Sequence, residues 1–132
     1  MTLSSIQAVR TDAAPAPVGP YNQAVEAGGW LYCSGQIPLD PATGAMVGDG
    51  DVEAETRQVL KNLAAVLQAA GADPSRVVRT TVYLVDLNDF QAVNAIYSDM
   101  FGKGVSPARA CVQVAALPKG SKVEIDCVAC LG

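Results

Sequence analysis

Two runs late in the chain read as buried strands, and each holds a charge. They are Ser106-Pro107-Ala108-Arg109-Ala110-Cys111-Val112-Gln113-Val114 and Lys122-Val123-Glu124-Ile125-Asp126. An ionised group taken out of water is costly unless it is paired or coordinates something. Arg109 and Glu124 therefore either satisfy each other or meet a charged group from outside. Pro107 marks the start of the first strand, so Arg109 lies near a strand end, where sites open. Any fold for this chain has to place both charges.

The remaining elements are read from periodicity. Thr11–Pro20 holds Pro15, Pro17 and Pro20 and predicts an extended segment laid over the surface. Residues 22–27 and 30–37 form a hairpin around Gly28-Gly29, with Leu31, Cys33, Gly35 and Ile37 on one face and Trp30, Tyr32, Ser34 and Gln36 on the other. Gly35 inside a strand predicts a bulge or a close approach by another group. Pro38–Gly44 is a turn-rich loop.

Residues 51–70 carry an apolar stripe (Val52, Thr56, Val59, Leu60, Leu63, Val66, Leu67, Ala70) at helical spacing. Asp49 or Asp51 caps its start, Glu53 and Glu55 suit its positive end, and Gly71 with Pro74 closes it. A β-branched strand follows over 76–85, then a second helix over about 88–101 with Phe90, Val93, Tyr97, Met100 and Phe101 on its apolar face. Asn94 falls on that same face and requires hydrogen-bond partners. Strands over 108–114 and 122–130 end the chain, read as a closing hairpin.

The order β-β-α-β-α-β-β predicts an α+β fold: one mixed sheet with both helices on one face. The other face would lie bare, carrying Val, Thr, Tyr, Cys and Ala, and self-association over it is the natural remedy. With 132 residues and no repeat, linker or low-complexity tract, a single domain over 1–132 is expected.

Composition narrows the function. The net charge of −4 disfavours nucleic acid and anionic membranes as partners. No apolar run approaches the ~20 residues that span a bilayer. Met1–Gln7 lacks a basic region followed by an apolar one, so a cytoplasmic protein with reduced thiols is expected. There is no histidine, which removes Ser-His-Asp and Cys-His triads, histidine metal ligands and the commonest neutral-pH base. No metal and no cofactor is expected.

Cys127-Val128-Ala129-Cys130 spells C-x-x-C, yet strand positions three apart point to opposite faces, and no second pair stands at zinc spacing. Buried structural thiols are the reading. Cys111 shares a strand face with Arg109, and a guanidinium nearby would lower its pKa. It reads as a small buried side chain whose backbone lines a site, with a nucleophile as the lesser alternative. Arg109 itself stays between two roles: an ion pair with Glu124 or Asp126, or a two-pronged clamp on a carboxylate. If Arg109, Cys111 and Glu124 share one face of the closing hairpin, an odd position must oppose an even one, for example Cys111 opposite Glu124. Gly44, Gly48 and Gly50 lack the ending and the preceding strand of a phosphate loop.

Several separated segments resemble the reactive-intermediate deaminases, the RidA or YjgF family. They are Pro107–Lys119 followed by Val123-Glu124-Ile125, Ala16–Tyr21, Ser34–Pro38, Ala69-Ala70-Gly71, and Asp86–Phe90 leading to Val93–Tyr97. The resemblance covers nearly the whole chain. It implies a chorismate-mutase-like fold and a homotrimer, with the sheets packed into a central barrel, helices outside and active sites in clefts between subunits. It implies hydrolysis of 2-imino acids, derived from enamines such as 2-aminoacrylate, to 2-keto acids and ammonia.

In that picture Arg109 binds the substrate carboxylate, the backbone at Cys111 helps to hold the substrate, and Glu124 positions water or shuttles protons. Tyr21, Ser34, Gly35 and Asn94 match pocket positions. A carboxylate near Arg109 would stay ionised more readily. The chain departs from the pattern at Ala110, Gln113 and Ala116, where Ser, Glu and Arg are common, which bears on substrate preference. Three other readings compete. One is a protein that binds small carboxylates or keto acids without turnover. Another is a ribonuclease or translation inhibitor, an activity ascribed to some relatives, which the acidic composition and the missing histidine disfavour. The last is a purely structural oligomer, in which Glu124 fills the charge of Arg109 and leaves no room for an anion.

Overall fold

The computed structural model describes residues 5–132. Met1–Ser4, part of the N-terminus read above as lacking a leader, lie outside the described residues. The elements run β1 (Gln7–Val9), β2 (Ala24–Ala27), β3 (Trp30–Gln36), α1 (Val52–Ala69), β4 (Val77–Leu84), α2 (Phe90–Phe101), β5 (Ala108–Gln113) and β6 (Val123–Cys130). The fold is α+β, as expected. No described helix is long and apolar enough to cross a membrane.

The strands form one sheet in the order β1-β2-β3-β6-β4-β5. β2 and β3 make the predicted hairpin, turning at Gly28 and Gly29, whose φ values of 60° and 83° are the left-handed conformation this turn needs. Edge strand β1 is an addition to the predicted order. Its three residues, Gln7-Ala8-Val9, are too few to carry a periodic signal.

The closing hairpin is a correction. β5 pairs with β4 in parallel, through the crossover that contains α2, and β6 inserts between β3 and β4, antiparallel to both. The connection between β5 and β6 passes over the end of β4. There Val114 N donates to Leu84 O and Val85 N donates to Lys122 O.

Both helices cover one face. Along β6 burial alternates strictly: Val123, Ile125, Cys127 and Ala129 face the helices, while Glu124, Asp126, Val128 and Cys130 face away. Leu31, Val59, Leu63, Val66, Leu67, Val82, Leu84, Val93, Phe101 and Ile125 form the core with them. Asp51 caps α1 by accepting from Glu53 N. The helix-free face exposes Trp30 at 41%, Tyr32 at 51% and Val112 at 42%. Ala110, Thr81, Tyr83, Val128 and Cys130 share that face, the composition expected of a bare side.

Three buried polar side chains fasten the loops. Gln23 Nε2 donates to the carbonyls of Thr11, Ala14 and Pro15, while its Oε1 accepts from Thr11 N, pinning the proline-rich segment to the sheet. Asn62 Nδ2 donates to Leu39 O at 2.9 Å. Glu55, 1% exposed, accepts Lys122 N at 2.8 Å and fixes the entry into β6.

Candidate active site

Arg109 is the second residue of β5 and projects to the helix side, beside α2. Its Nη1 donates to Asn94 Oδ1 at 2.6 Å. The guanidinium carbon stands 4.8 Å from the centre of the Tyr97 ring and 5.5 Å from that of Phe90. Phe90, Asn94 and Tyr97 are spaced by four and three residues, so one helical face presents all three. Asn94 thus finds the partner its position demanded. A guanidinium has five N–H donors, and the Asn94 bond engages one of them. Arg109 lines an open cavity of about 520 Å³ with Asn94, Ser98, Phe101, Ser106 and Pro107.

Glu124 sits on the opposite face. The register puts Arg109 beside Thr80 and Cys127, whereas Glu124 lies beside Tyr83 and Val112. Cys111 lines up through Val82 with Ile125, so it shares the face of Arg109 and not that of Glu124. The register that would have united the three residues on one hairpin face is absent because β4 separates β5 from β6. The intrachain ion pair from Arg109 to Glu124 or Asp126 is excluded for the same reason.

The surroundings of Glu124 gather a second group of predicted residues. A Cβ built on Gly35 would lie 2.8 Å from Glu124 Cδ and 3.0 Å from its Cγ, so the carboxylate rests directly over the glycine. The β3–β6 register shifts between Cys33 and Gln36, which is the bulge expected at Gly35. In that bulge Ser34 Oγ donates to Asn22 O at 2.6 Å and Ser34 N donates to Gln23 O at 3.0 Å. Tyr21 is 47% exposed; its hydroxyl accepts from Val18 N, and its ring lines a small cleft with Gly35, Gln36 and Ile37. The residues singled out in the sequence therefore fall into two groups, one of Arg109, Asn94 and Cys111, the other of Tyr21, Ser34, Gly35 and Glu124.

The ionisation states differ from the sequence expectation. Burial raises the Glu124 pKa, and the neighbouring Asp126 charge raises it further. Arg109 is on the other face and does not hold this carboxylate ionised. Burial likewise raises the Cys111 thiol, outweighing the opposing effect of Arg109. That removes the activated thiolate a nucleophile would need. Cys127 and Cys130 are free thiols on opposite faces of β6, and Cys127, paired with Cys33 across β3–β6, is pushed up by its hydrogen bond to Cys33 and by burial. Among the described residues no cluster of His, Cys, Asp and Glu is arranged to hold a metal ion.

Residues 11–131 match the family model described as Endoribonuclease L-PSP. The chain belongs to this family. It is the RidA/YjgF family of the sequence motifs. A RutC family protein of Synechocystis is 58% identical over 131 residues, covering 99% of this chain and 98% of that protein. The family member of Homo sapiens named 2-iminobutanoate/2-iminopropanoate deaminase is 52% identical over 124 residues, covering 94% of this chain and 89% of that one. Among solved family members, E. coli TdcF with bound serine superposes with a TM-score of 0.90 at 39% identity, covering 96% of this chain and 99% of that one.

The family departure at Gln113 has a local explanation. Its Oε1 accepts Leu87 N at 2.9 Å and caps the 3₁₀ turn that leads into α2. A carbonyl oxygen suffices there, so Gln can stand where Glu is common. Sequence reasoning passed over Thr80 and Tyr83. Tyr83 donates to Asp126 Oδ2 at 3.0 Å beside Glu124. No signal within either residue marks it; only the insertion of β6 next to β4 does.

Proposed function

We propose that this protein hydrolyses 2-imino acids to 2-keto acids and ammonia. The observation that carries this reading is Arg109: held from one side by α2, it turns toward an open cavity with donors to spare. A planar fork of that kind suits the carboxylate of 2-iminopropanoate or 2-iminobutanoate. The deaminase names of relatives at about half identity support the substrate class. We place the protein in the cytoplasm, with the enzymes that release 2-aminoacrylate.

Because Arg109 and Glu124 occupy opposite faces of the sheet, we read the two groups as half-sites: one chain does not bring Glu124 to a substrate gripped by its own Arg109. We infer that a neighbouring copy supplies Glu124, Tyr21, Ser34 and Gly35, in a homotrimer whose bare sheet faces turn inward. The uncovered Trp30, Tyr32 and Val112 favour such burial. With the carboxylate held, Glu124 takes a proton from a water as its oxygen bonds to the C=N carbon. Proton transfer to nitrogen gives a carbinolamine, the C–N bond breaks, and ammonia and the keto acid leave. A carboxyl whose pKa is raised toward neutrality can serve both as base and as acid in these transfers. The imine is itself reactive, so positioning and proton transfer suffice.

The test is ammonia release from freshly generated 2-iminopropanoate by the purified protein, compared with Arg109→Ala. No acceleration by the wild-type protein rejects the reading. A second reading, carboxylate binding without turnover, is favoured by one observation: TdcF was crystallised with serine, an amino acid that carries a carboxylate. Saturable pyruvate binding without ammonia release would select it.

A further inference from the structure

One buried polar pair next to Arg109 has no part in the chemistry just proposed. Thr80 is fully buried and Tyr97 is 7% exposed, and their hydroxyls share a hydrogen bond of 2.7 Å. A sheet core has no intrinsic need for a threonine hydroxyl, since valine fills the same volume without a polar group to satisfy. The location of the pair suggests its use. Thr80 is the direct register partner of Arg109 across the parallel β4–β5 pair. The ring of Tyr97 lies against the guanidinium at 4.8 Å. A circuit closes: strand β4 holds the Tyr97 hydroxyl, the Tyr97 ring faces the Arg109 side chain, and β5 returns to β4 through its backbone ladder.

We propose that Thr80 and Tyr97 are positioning residues that set the plane of the Arg109 guanidinium. The hydroxyl bond fixes the tilt of the Tyr97 ring, and the ring face fixes the guanidinium stacked on it. Two parallel N–H···O bonds require the fork and the carboxylate to be coplanar, so the tilt decides whether the grip has two prongs or one. Asn94 fixes the guanidinium at a single atom, Nη1, and leaves rotation about that contact open. The Tyr97 ring, at 4.8 Å the nearer of the two rings beside it (Phe90 is at 5.5 Å), removes that freedom. This inference rests on reading Arg109 as a carboxylate clamp.

A pair that merely satisfies itself in the core would influence stability alone. The discriminating readout is therefore the preference for a carboxylate over a neutral isostere. NMR titrations of the assembled full-length protein with pyruvate and with pyruvamide would be run on the wild type, Thr80→Val, Tyr97→Phe and Thr80→Ser. Thr80→Val and Tyr97→Phe are each expected to weaken pyruvate binding about tenfold, the scale of one buried hydrogen bond, and to leave pyruvamide binding unchanged. KM for the imine rises in parallel while kcat holds, as for a uniform loss of substrate grip. Thr80→Ser, which keeps the hydroxyl, restores wild-type values.

Equal weakening of both ligands, a fall in Tm with no change in either affinity, or a Thr80→Ser variant as poor as Thr80→Val would each overturn the proposal. Tyr97→Phe keeps the ring volume and carries the test should Thr80→Val fail to fold. Arg109→Ala separates the two levels. Pyruvate binding that survives this change defeats the clamp reading and this inference with it. Binding lost in Arg109→Ala but intact in Thr80→Val and Tyr97→Phe defeats the positioning inference alone.

Discussion

The Glu124 carboxylate occupies the space that a side chain at position 35 would fill, with Cδ 2.8 Å from the position of a Cβ on Gly35. The backbone of Gly35 is in a conformation open to any residue, so the glycine is required by this contact and not by its φ. Gly35→Ala should therefore act on Glu124 before it acts on the fold. A displacement on the order of 1 Å at a reacting group costs about a hundredfold in rate. We expect kcat for imine hydrolysis to fall by that order, with pyruvate binding retained because Arg109 lies on the other face. Stopped-flow ammonia release together with a pyruvate titration checks this.

Arg109 should tolerate no replacement, lysine included. Lysine restores the charge, but it loses the planar fork and the stacking on Tyr97 and Phe90. Losing two charge-assisted hydrogen bonds corresponds to roughly a hundred- to a ten-thousandfold in kcat/KM. Arg109→Ala is expected to reach the upper end and Arg109→Lys the lower, with the oligomer unchanged by light scattering. Activity of Arg109→Lys equal to wild type would show that charge alone suffices.

Much of this was legible in the residues, for identifiable reasons. The stripe from Val52 to Ala70 and the Phe90–Asn94–Tyr97 face declare themselves because helical neighbours are local in sequence. Gly35 declared a close approach because glycine is costly in a strand. The placement of β6 was not legible. Residues 115–121 have the length of a hairpin connection, and nothing in Val123–Cys130 says that it bypasses β5 to pair with β3 and β4. That one long-range choice put Arg109 and Glu124 on opposite faces and changed the cause of the Glu124 pKa from a neighbouring cation to burial. Gln23, Asn62 and Glu55 were equally hidden, since a polar residue that anchors a loop looks in sequence like one that faces water.

The raised pKa of Glu124 gives two pH dependences of known sign. For activity, the proposed role makes the ionised form the base, so kcat/KM should fall on the acid side along a limb shifted upward from the ordinary glutamate value. Glu124→Gln removes that limb along with most of the activity. For stability, the folded state holds this proton more tightly than the unfolded chain. The stability it contributes is fully present below the unfolded value near 4.5 and is lost as pH rises through the folded pKa. Glu124→Gln should thus raise Tm at pH 7 and have no such effect at pH 4, a comparison that thermal melts at the two pH values provide.

The proposed division of the site between two chains makes a sharper prediction than any single substitution. Arg109→Ala and Glu124→Gln each abolish activity in a homo-oligomer. In a mixed oligomer, however, a cleft formed by Arg109 of one chain and Glu124 of another is intact whenever the Glu124→Gln chain supplies the arginine and the Arg109→Ala chain supplies the carboxylate. Random assembly of equal amounts around a closed ring produces that pairing in about one cleft in four. Co-expression of the two variants should therefore recover roughly a quarter of the wild-type kcat per chain, whereas mixing the separately assembled proteins recovers none until the subunits exchange. The double variant Arg109→Ala/Glu124→Gln, co-expressed with wild type, fixes the baseline: there too about one cleft in four is intact, and each comes from two wild-type chains. Activity that stays at zero after verified co-assembly would overturn the shared cleft that the opposite-face placement of Arg109 and Glu124 led us to propose.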